Sequence, residues 1–342
     1  MTLNEPMENL NNSSILVTGA TGSFGQQCVR RLLTEHKPKR VVVFSRDELK
    51  QFEMQQRMPE KDYPIRYFIG DVRDADRLRR ACSGIDIVIH AAAMKHVTAS
   101  EYNPTECIAT NVDGSKNLIE AAIDCGVQRV LALSTDKAVN PVNLYGATKL
   151  CAEKLFVAAN NLSGRRKTRF SVVRYGNVAG SRGSVIPLFK RFLLEGRTCL
   201  PITHPDMTRF LITLDQGVDF VLGNLPFMAG GEVFIPKLPS FRITDLVDLL
   251  GEGLSADVIG IRAGEKLHEL MIASEESRNA VDMGDHYVIE PMFTWWNTTA
   301  FAERMAKHGK RVPEGFSYAS NTNDNWLSST ALRAIAETIS AA

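Results

Sequence analysis

Six short apolar runs recur through the first half of the chain, and a stretch of helical pattern separates each from the next. The runs are Ile15–Val17, Arg40–Phe44, Ile65–Ile69, Ile87–His90, Val130–Leu133 and Phe170–Arg174. The stretches between them that predict helices are Ser23–Glu35, Asp47–Met58, Ala75–Cys82, Asn103–Cys125 and Asn143–Asn160. Strands at this spacing cannot pair as hairpins. They pair in parallel, with the helices crossing over both faces of the sheet. The long helix carries Pro104 in its first turn, where a missing N–H costs nothing. The expected class is α/β, a Rossmann-like doubly wound parallel sheet followed by a smaller C-terminal α/β lobe. Residues 13–176 are expected to form one domain built on this sheet, and 177–342 the smaller lobe and tail.

Beyond Arg174 the pattern changes. Tyr175–Gly180 reads as a loop, Pro187–Leu194, Leu214–Leu225 and Ile243–Leu250 as helices, and Leu200–Thr203, Glu232–Ile235 and Val258–Ile261 as extended segments. Trp295-Trp296 and Asn325-Trp-Leu327 suggest a tail packed onto the body. The formal net charge of +1 argues against a broad nucleic-acid footprint. Six cysteines, at 28, 82, 107, 125, 151 and 199, are scattered without a C-x-x-C, which suits reduced thiols. No metal site is expected. Met1–Asn12 is polar, and the longest near-apolar run, Ile85–Met94, is too short to span a bilayer. The expectation is a cytoplasmic protein with no membrane partner.

The first strand-to-helix turn holds Gly19-Ala-Thr-Gly22-Ser-Phe-Gly25. Glycines at this spacing allow a tight turn and let backbone N–H groups and the helix N-terminus approach a pyrophosphate. The second strand ends at Ser45-Arg46, with Lys50 one turn on. An acid there would bind a ribose 2′-hydroxyl, whereas a guanidinium suits a 2′-phosphate. NADP is therefore favoured over NAD, with Asp47 as the counter-argument. Asp71-Val72 can flank the adenine, and Ala91-Ala92-Ala93 lets backbone meet the cofactor. His96 reads as structural.

The fifth strand runs into Ser134-Thr135-Asp136-Lys137, and Tyr145 and Lys149 follow on one helix face at i,i+4. A fixed ammonium stabilises phenolate, so a tyrosine beside it loses its proton more easily. Thr135 can supply a hydroxyl to the same site. Asp136-Lys137 is either a local ion pair fixing the Asn140-Pro141 turn or a second acid–base couple. Arg209 and Arg262, isolated at loop–strand junctions, can grip a diphosphate.

These residues together resemble the extended short-chain dehydrogenase/reductases. The finer match is to the inverting UDP-N-acetylglucosamine 4,6-dehydratases, which open the bacterial pseudaminic acid pathway. Thr18-Gly-Ala-Thr-Gly-Ser-Phe-Gly25, Ser45-Arg-Asp-Glu-Leu-Lys-Gln51, Ile69-Gly-Asp-Val-Arg73 and Ala91-Ala-Ala-Met-Lys-His96 all resemble that family. So do Ser134–Lys149, Arg174-Tyr-Gly-Asn177, Gly180-Ser-Arg-Gly-Ser184, Met207-Thr-Arg-Phe210 and Ile261-Arg-Ala-Gly-Glu-Lys266. The likeness runs through residues 13–290. Ala20 stands where the family commonly has glycine.

The resemblance implies roles. Tightly bound NADP, regenerated each turnover, takes hydride from sugar carbon 4 and returns it to carbon 6. It is held by Gly19, Thr21, Gly22, Ser23, Phe24, Gly25, Ser45, Arg46, Lys50, Asp71, Val72 and Ala91–Ala93. Tyr145 is the base, and Lys149 holds the ribose and lowers the tyrosine pKa. Lys137, as a neutral amine, removes the carbon-5 proton, which asks for a depressed pKa. Asp136, protonated, releases the carbon-6 hydroxyl as water. Lys95, Asn177, Val185, Arg209, Arg262 and Glu265 contact UDP-N-acetylglucosamine. A homo-oligomer, paired through the long helices, is also implied. A retaining dehydratase usually carries Asp-Glu in place of Asp136-Lys137. A UDP-sugar 4-epimerase needs the tyrosine and lysine but not that pair. A non-enzymatic nucleotide sensor would have lost the tyrosine.

Overall fold

A computed structural model of the chain describes residues 10–181, 183–251, 253–292 and 308–339. Trp295 and Trp296 lie outside the described residues. The first half alternates as expected: β1 (Ser14–Thr18), α1 (Ser23–Glu35), β2 (Arg40–Ser45), α2 (Glu48–Arg57), β3 (Ile65–Ile69), α3 (Ala75–Cys82) and β4 (Ile87–His90). Two short helices follow, α4 (Val97–Tyr102) and α5 (Pro104–Ile108), then α6 (Gly114–Cys125), β5 (Arg129–Thr135), α7 (Leu144–Leu162) and β6 (Arg169–Tyr175). The second half adds β7 (Asn177–Val178), α8 (Val185–Leu194), β8 (Cys199–Ile202), β9 (Thr208–Ile212), α9 (Leu214–Asn224), β10 (Val233–Pro236), β11 (Ser240–Arg242), α10 (Ile243–Leu250) and β12 (Ser255–Val258). Five short strands and a helix close it: β13 (Leu270–Ile272), β14 (Ala280–Asp282), β15 (His286–Ile289), β16 (Lys310–Arg311), β17 (Tyr318–Ala319) and α11 (Ser329–Glu337).

The main sheet runs β3-β2-β1-β4-β5-β6-β10, all parallel, and β15, β14 and β16 extend it antiparallel. The strand order reverses between β1 and β4, which opens a crevice at their carboxyl ends, where ligands of such sheets bind. Strands β1, β2, β4 and β5 are almost wholly buried, as parallel strands covered on both faces must be. Four strands from beyond residue 177 thus join the same sheet. A second, smaller core gathers Ile186, Phe189, Leu200, Ile202, Met207, Phe241 and Leu246 beneath α8, α10 and α11.

The expected loop Tyr175–Gly180 carries the two-residue strand β7, and two longer expected elements differ. The long helix Asn103–Cys125 is broken into α5, a π-helical turn over Ala109–Asp113, and α6. Within that turn Asn111 is buried. Its amide donates to the Met94 carbonyl at 3.0 Å and to Thr148 Oγ1 at 3.0 Å, and its oxygen accepts from the Met94 N–H at 2.8 Å. One extra residue in the turn thereby ties the segment after β4 to α7, a use of π-turns common near functional sites. The strand expected at Val258–Ile261 is instead Ser255–Val258. It pairs with β8, and the pairing ends with the Ile259 N–H on the Ile202 carbonyl at 2.9 Å.

The tail packs back as expected, with Ser240 exchanging backbone hydrogen bonds with Asn325 and Leu327 at 2.8 and 2.9 Å. No helix among the described residues is long and apolar enough to cross a membrane. All six cysteines are free.

Candidate active site

A cleft of about 790 Å³ opens at the carboxyl ends of β1, β2, β4 and β5. Gly19, in the turn after β1, has φ +65°, and a side chain on it would begin 2.7 Å from the Ala92 nitrogen. The β1–α1 turn therefore lies directly against Ala91–Ala93, and only glycine allows both the conformation and the contact. Gly22 caps α1 without a side chain, and the first turn carries no acid. The helix thus presents bare N–H groups and the positive end of its dipole to the cleft. Thr21, Ser23, Phe24 and Gly25 line the same wall.

Ser45, Arg46, Lys50, Asp71 and Val72 line the far end. Arg46 Nη1 lies 3.6 Å from Asp71 Oδ2, and Lys50 is paired with Asp47, which also caps α2. Burial pushes the Asp71 carboxyl up, but hydrogen bonds from Arg73 and the charge of Arg46 outweigh it and hold the group below its usual range. Three buried polar atoms of cleft residues, Thr110 Oγ1, Asn177 Oδ1 and Ser184 Oγ, have no hydrogen-bond partner among the described residues. Unmet polar atoms in a cleft backed by a glycine turn and an open helix end fit an elongated phosphate-bearing dinucleotide.

At the centre, β5 ends in Thr135 and a 3-10 turn over Asp136–Ala138 follows. Asn143 caps α7 by accepting the Gly146 N–H at 2.7 Å, which fixes the helix start one residue before Tyr145. Lys149 Nζ donates to the Leu133 carbonyl at 2.7 Å. Asp136 is fully buried. Its Oδ1 accepts from Thr135 Oγ1 at 2.9 Å and from Lys137 Nζ at 3.0 Å, while Oδ2 has no hydrogen-bond partner among the described residues. Thr135, Lys137, Tyr145 and Lys149 all line the cleft, and Asp136 sits just behind it.

The electrostatics depart from expectation at Lys137. Burial pushes the Tyr145 phenol up to about 12, opposed by the charge of Lys137 and a hydrogen bond with Thr135. The ammonium that opposes burial at the phenol is that of Lys137. Lys149 is itself lowered to about 8 by burial, against the pull of Glu153. Lys137 was expected to have a depressed pKa. Burial does push it down, but Asp136 and Glu269 outweigh burial and raise it above the ordinary lysine value. It rests as an ammonium.

Lys95 and Asn177 also line the cleft; Val185, Arg209, Arg262 and Glu265 do not. Val185 begins α8, next to Ser184, which does line it. The Arg209 guanidinium is turned inward, donating to the carbonyls of Thr208, Lys266 and Leu267 at 2.7–3.1 Å. Arg262 is exposed and lies 4.0 Å from Glu265. His96, read as structural, lines the cleft under Gly183.

Glu269 went unseen in the sequence. It is 2% exposed, and Oε1 lies 3.1 Å from Lys137 Nζ. Its only sequence signal is an acid three residues after Lys266, which also reaches it at 4.0 Å.

A family described as polysaccharide biosynthesis protein matches residues 15–291. The inverting UDP-N-acetylglucosamine 4,6-dehydratase of Campylobacter jejuni is 53% identical over 93% of this chain and 95% of its own length. The X-ray structure of Pen from Bacillus thuringiensis is 38% identical, with a TM-score of 0.86, covering 96% of this chain and 98% of its own. A double mutant of DesIV, a dTDP-glucose 4,6-dehydratase from Streptomyces venezuelae with NAD and DAU bound, is 25% identical with a TM-score of 0.64. That match covers 74% of this chain and 86% of the other.

Proposed function

The chain belongs to the inverting UDP-N-acetylglucosamine 4,6-dehydratases, hydro-lyases of the extended short-chain dehydrogenase/reductase superfamily, and from that premise we propose how its residues divide the work. The substrate is UDP-N-acetylglucosamine and the product UDP-2-acetamido-2,6-dideoxy-β-L-arabino-hex-4-ulose, entering pseudaminic acid synthesis in the cytoplasm. The cofactor is NADP, held tightly by the β1–α1 turn, Ala91–Ala93, Ser45, Arg46 and Lys50. When bound, it accepts the carbon-4 hydride and gives it back at carbon 6. Residues 13–176 hold the cofactor and the catalytic groups, 177–342 chiefly hold the sugar nucleotide, and the protein works as a homo-oligomer.

One observation carries this reading: a buried aspartate and a lysine share a hydrogen bond of 3.0 Å beside Tyr145 at the sheet's carboxyl edge. Tyr145 removes the carbon-4 hydroxyl proton as hydride leaves. The resulting 4-ketone acidifies the carbon-5 hydrogen. Lys137 starts as an ammonium and Asp136 as its neighbour carboxylate. Transfer of one proton from Nζ to Oδ1 breaks an N–H bond, forms an O–H bond, and leaves an amine and a carboxylic acid. The single step arms both groups, the amine to take the carbon-5 proton and the acid to protonate the departing carbon-6 hydroxyl. Epimerisation needs neither group.

Incubation with UDP-N-acetylglucosamine followed by mass analysis tests the reading. Loss of one water from the nucleotide sugar is expected. An isomer of unchanged mass would replace it with epimerisation, and no turnover would leave a nucleotide-binding protein.

A further inference from the structure

The Lys137 ammonium lies between two carboxylates. Asp136, its neighbour in the chain, sits 3.0 Å away, and Glu269, from the second half of the chain just before β13, sits 3.1 Å away. Glu269 is clamped on both sides of its backbone. Its N–H donates to Ser320 Oγ at 2.9 Å, its carbonyl accepts the Ser320 N–H at 2.9 Å, and Ser320 Oγ also meets Thr208 Oγ1 at 2.7 Å. Two further cations converge on the carboxylate, Arg209 Nε at 3.8 Å and Lys266 Nζ at 4.0 Å, while Oε2 has no hydrogen-bond partner among the described residues. The buried Glu269 side chain thus faces three basic side chains, and its shortest contact is to the lysine at the cleft.

The dehydration step needs the Lys137–Asp136 pair to enter turnover with one proton between them. With none, nothing protonates the leaving hydroxyl. With two, no base is left for carbon 5. Two groups this close titrate as a unit. The groups facing Lys137 are Asp136 and the Tyr145 phenol from its own lobe, and Glu269, Arg209 and Lys266 from the other. Arg209 and Lys266 are positive and would drive a proton off the pair, and Glu269 offsets them.

We propose that Glu269 is a positioning residue: it anchors Lys137 Nζ at the cleft and holds the single proton of the Lys137–Asp136 pair in place against the flanking Arg209 and Lys266. This rests on the dehydratase reading given above. Glu269 need not touch the sugar; it acts through Lys137.

The test is the pH profile of water loss in single turnovers of UDP-N-acetylglucosamine by the cofactor-loaded enzyme. Such a profile falls at high pH as the reactive pair loses its proton. In Glu269→Gln that limb should move to lower pH by about one unit or more, as removal of a close opposite charge requires. Glu269→Asp, which keeps the charge, should leave the limb in place and lower the rate, because the shorter side chain misplaces Nζ. In both variants KM should change less than kcat. If Glu269→Gln does not fold, Glu269→Ala with and without formate makes the same comparison, and formate should return the limb toward the wild-type position. A Gln variant whose limb coincides with the wild type, or an Asp variant displaced as far as Gln, overturns the proposal and leaves the dehydratase reading intact. A wild type that loses no water overturns both.

Discussion

Gly146 sits against Lys137 so closely that a side chain on the glycine would begin 2.1 Å from the Lys137 carbonyl oxygen. The first turn of α7 and the 3-10 turn of Asp136–Ala138 are therefore pressed backbone to backbone. This contact holds the Asp136–Lys137 pair beside Tyr145. Gly146→Ala improves intrinsic helix propensity, yet the clash is with main chain and no rotamer relieves it. It should cost about 1–3 kcal/mol of stability, as overpacking does, and lower dehydration disproportionately. Thermal unfolding with parallel assays checks this, and a variant with wild-type melting and rate would show that the two turns need not touch.

The cofactor choice rests on Arg46 and Lys50, both at the cleft and both paired with a carboxylate, Asp71 and Asp47 respectively. Protein denatured after purification should release NADP. Arg46→Asp should turn the preference toward NAD. Recovery of mainly NAD from the wild type would assign these cations to the surface ion pairs they already make.

Lys149 gives a stability prediction. Burial lowers it from 10.5 to about 8 in the folded chain. An unfolded lysine keeps its proton up to about 10.5, so between those values the unfolded chain binds more protons. Raising the pH through that window therefore stabilises the fold of the cofactor-free protein. At about 1.4 kcal/mol per pH unit the full gain is about 3 kcal/mol, none of it present below about pH 8. Urea unfolding of wild type and Lys149→Met at pH 7.5 and 9.5 should show the wild type gaining relative to the variant. A constant difference would mean that Lys149 keeps an ordinary pKa.

Much of this was legible in the sequence for a definite reason. Strand and helix periods are local, so the parallel sheet, the glycine turn and the Tyr145–Lys149 face follow from spacing alone. The π-turn at Ala109–Asp113 did not, because Asn111 gains its reason from Met94 and Thr148, which only the fold brings near. The depressed pKa that a neutral Lys137 asks for is opposed first by Asp136, the next residue in the chain and visible in the sequence, and then by Glu269, which only the fold brings near. Arg209 reads as a diphosphate clamp when only its isolation among apolar residues is visible. In the fold, three carbonyls and Glu269 claim its guanidinium.

The proposed division of labour between Tyr145 and Lys137 should separate in time. On the proposed roles Tyr145→Phe should abolish every step, because each later step follows from removal of the carbon-4 hydroxyl proton. Lys137→Met should spare carbon-4 oxidation and block loss of water. Rapid mixing should then show the reduced-nicotinamide absorbance rising and persisting without product. Unimpaired dehydration by Lys137→Met would remove it from the mechanism.

The stereochemical outcome tests the Asp136–Lys137 pair most directly. A retaining dehydratase returns a proton to carbon 5 on the face it left, and an inverting one delivers it to the opposite face. Lysine's ammonium protons exchange with water, so carbon 5 takes solvent hydrogen under either outcome, and only configuration distinguishes them. In heavy water, unlabelled substrate should gain one deuterium at carbon 5, and the early product should have the L-arabino configuration. The hydride lifted from carbon 4 never meets water, so substrate deuterated there should give product deuterated at carbon 6 without dilution. Only early time points count, because the 4-ketone keeps carbon 5 acidic and slowly scrambles it. An early D-xylo product would reject inversion while leaving dehydration standing. Loss of the carbon-4 label to solvent would reject internal hydride return, and with it the role given to the dinucleotide cleft.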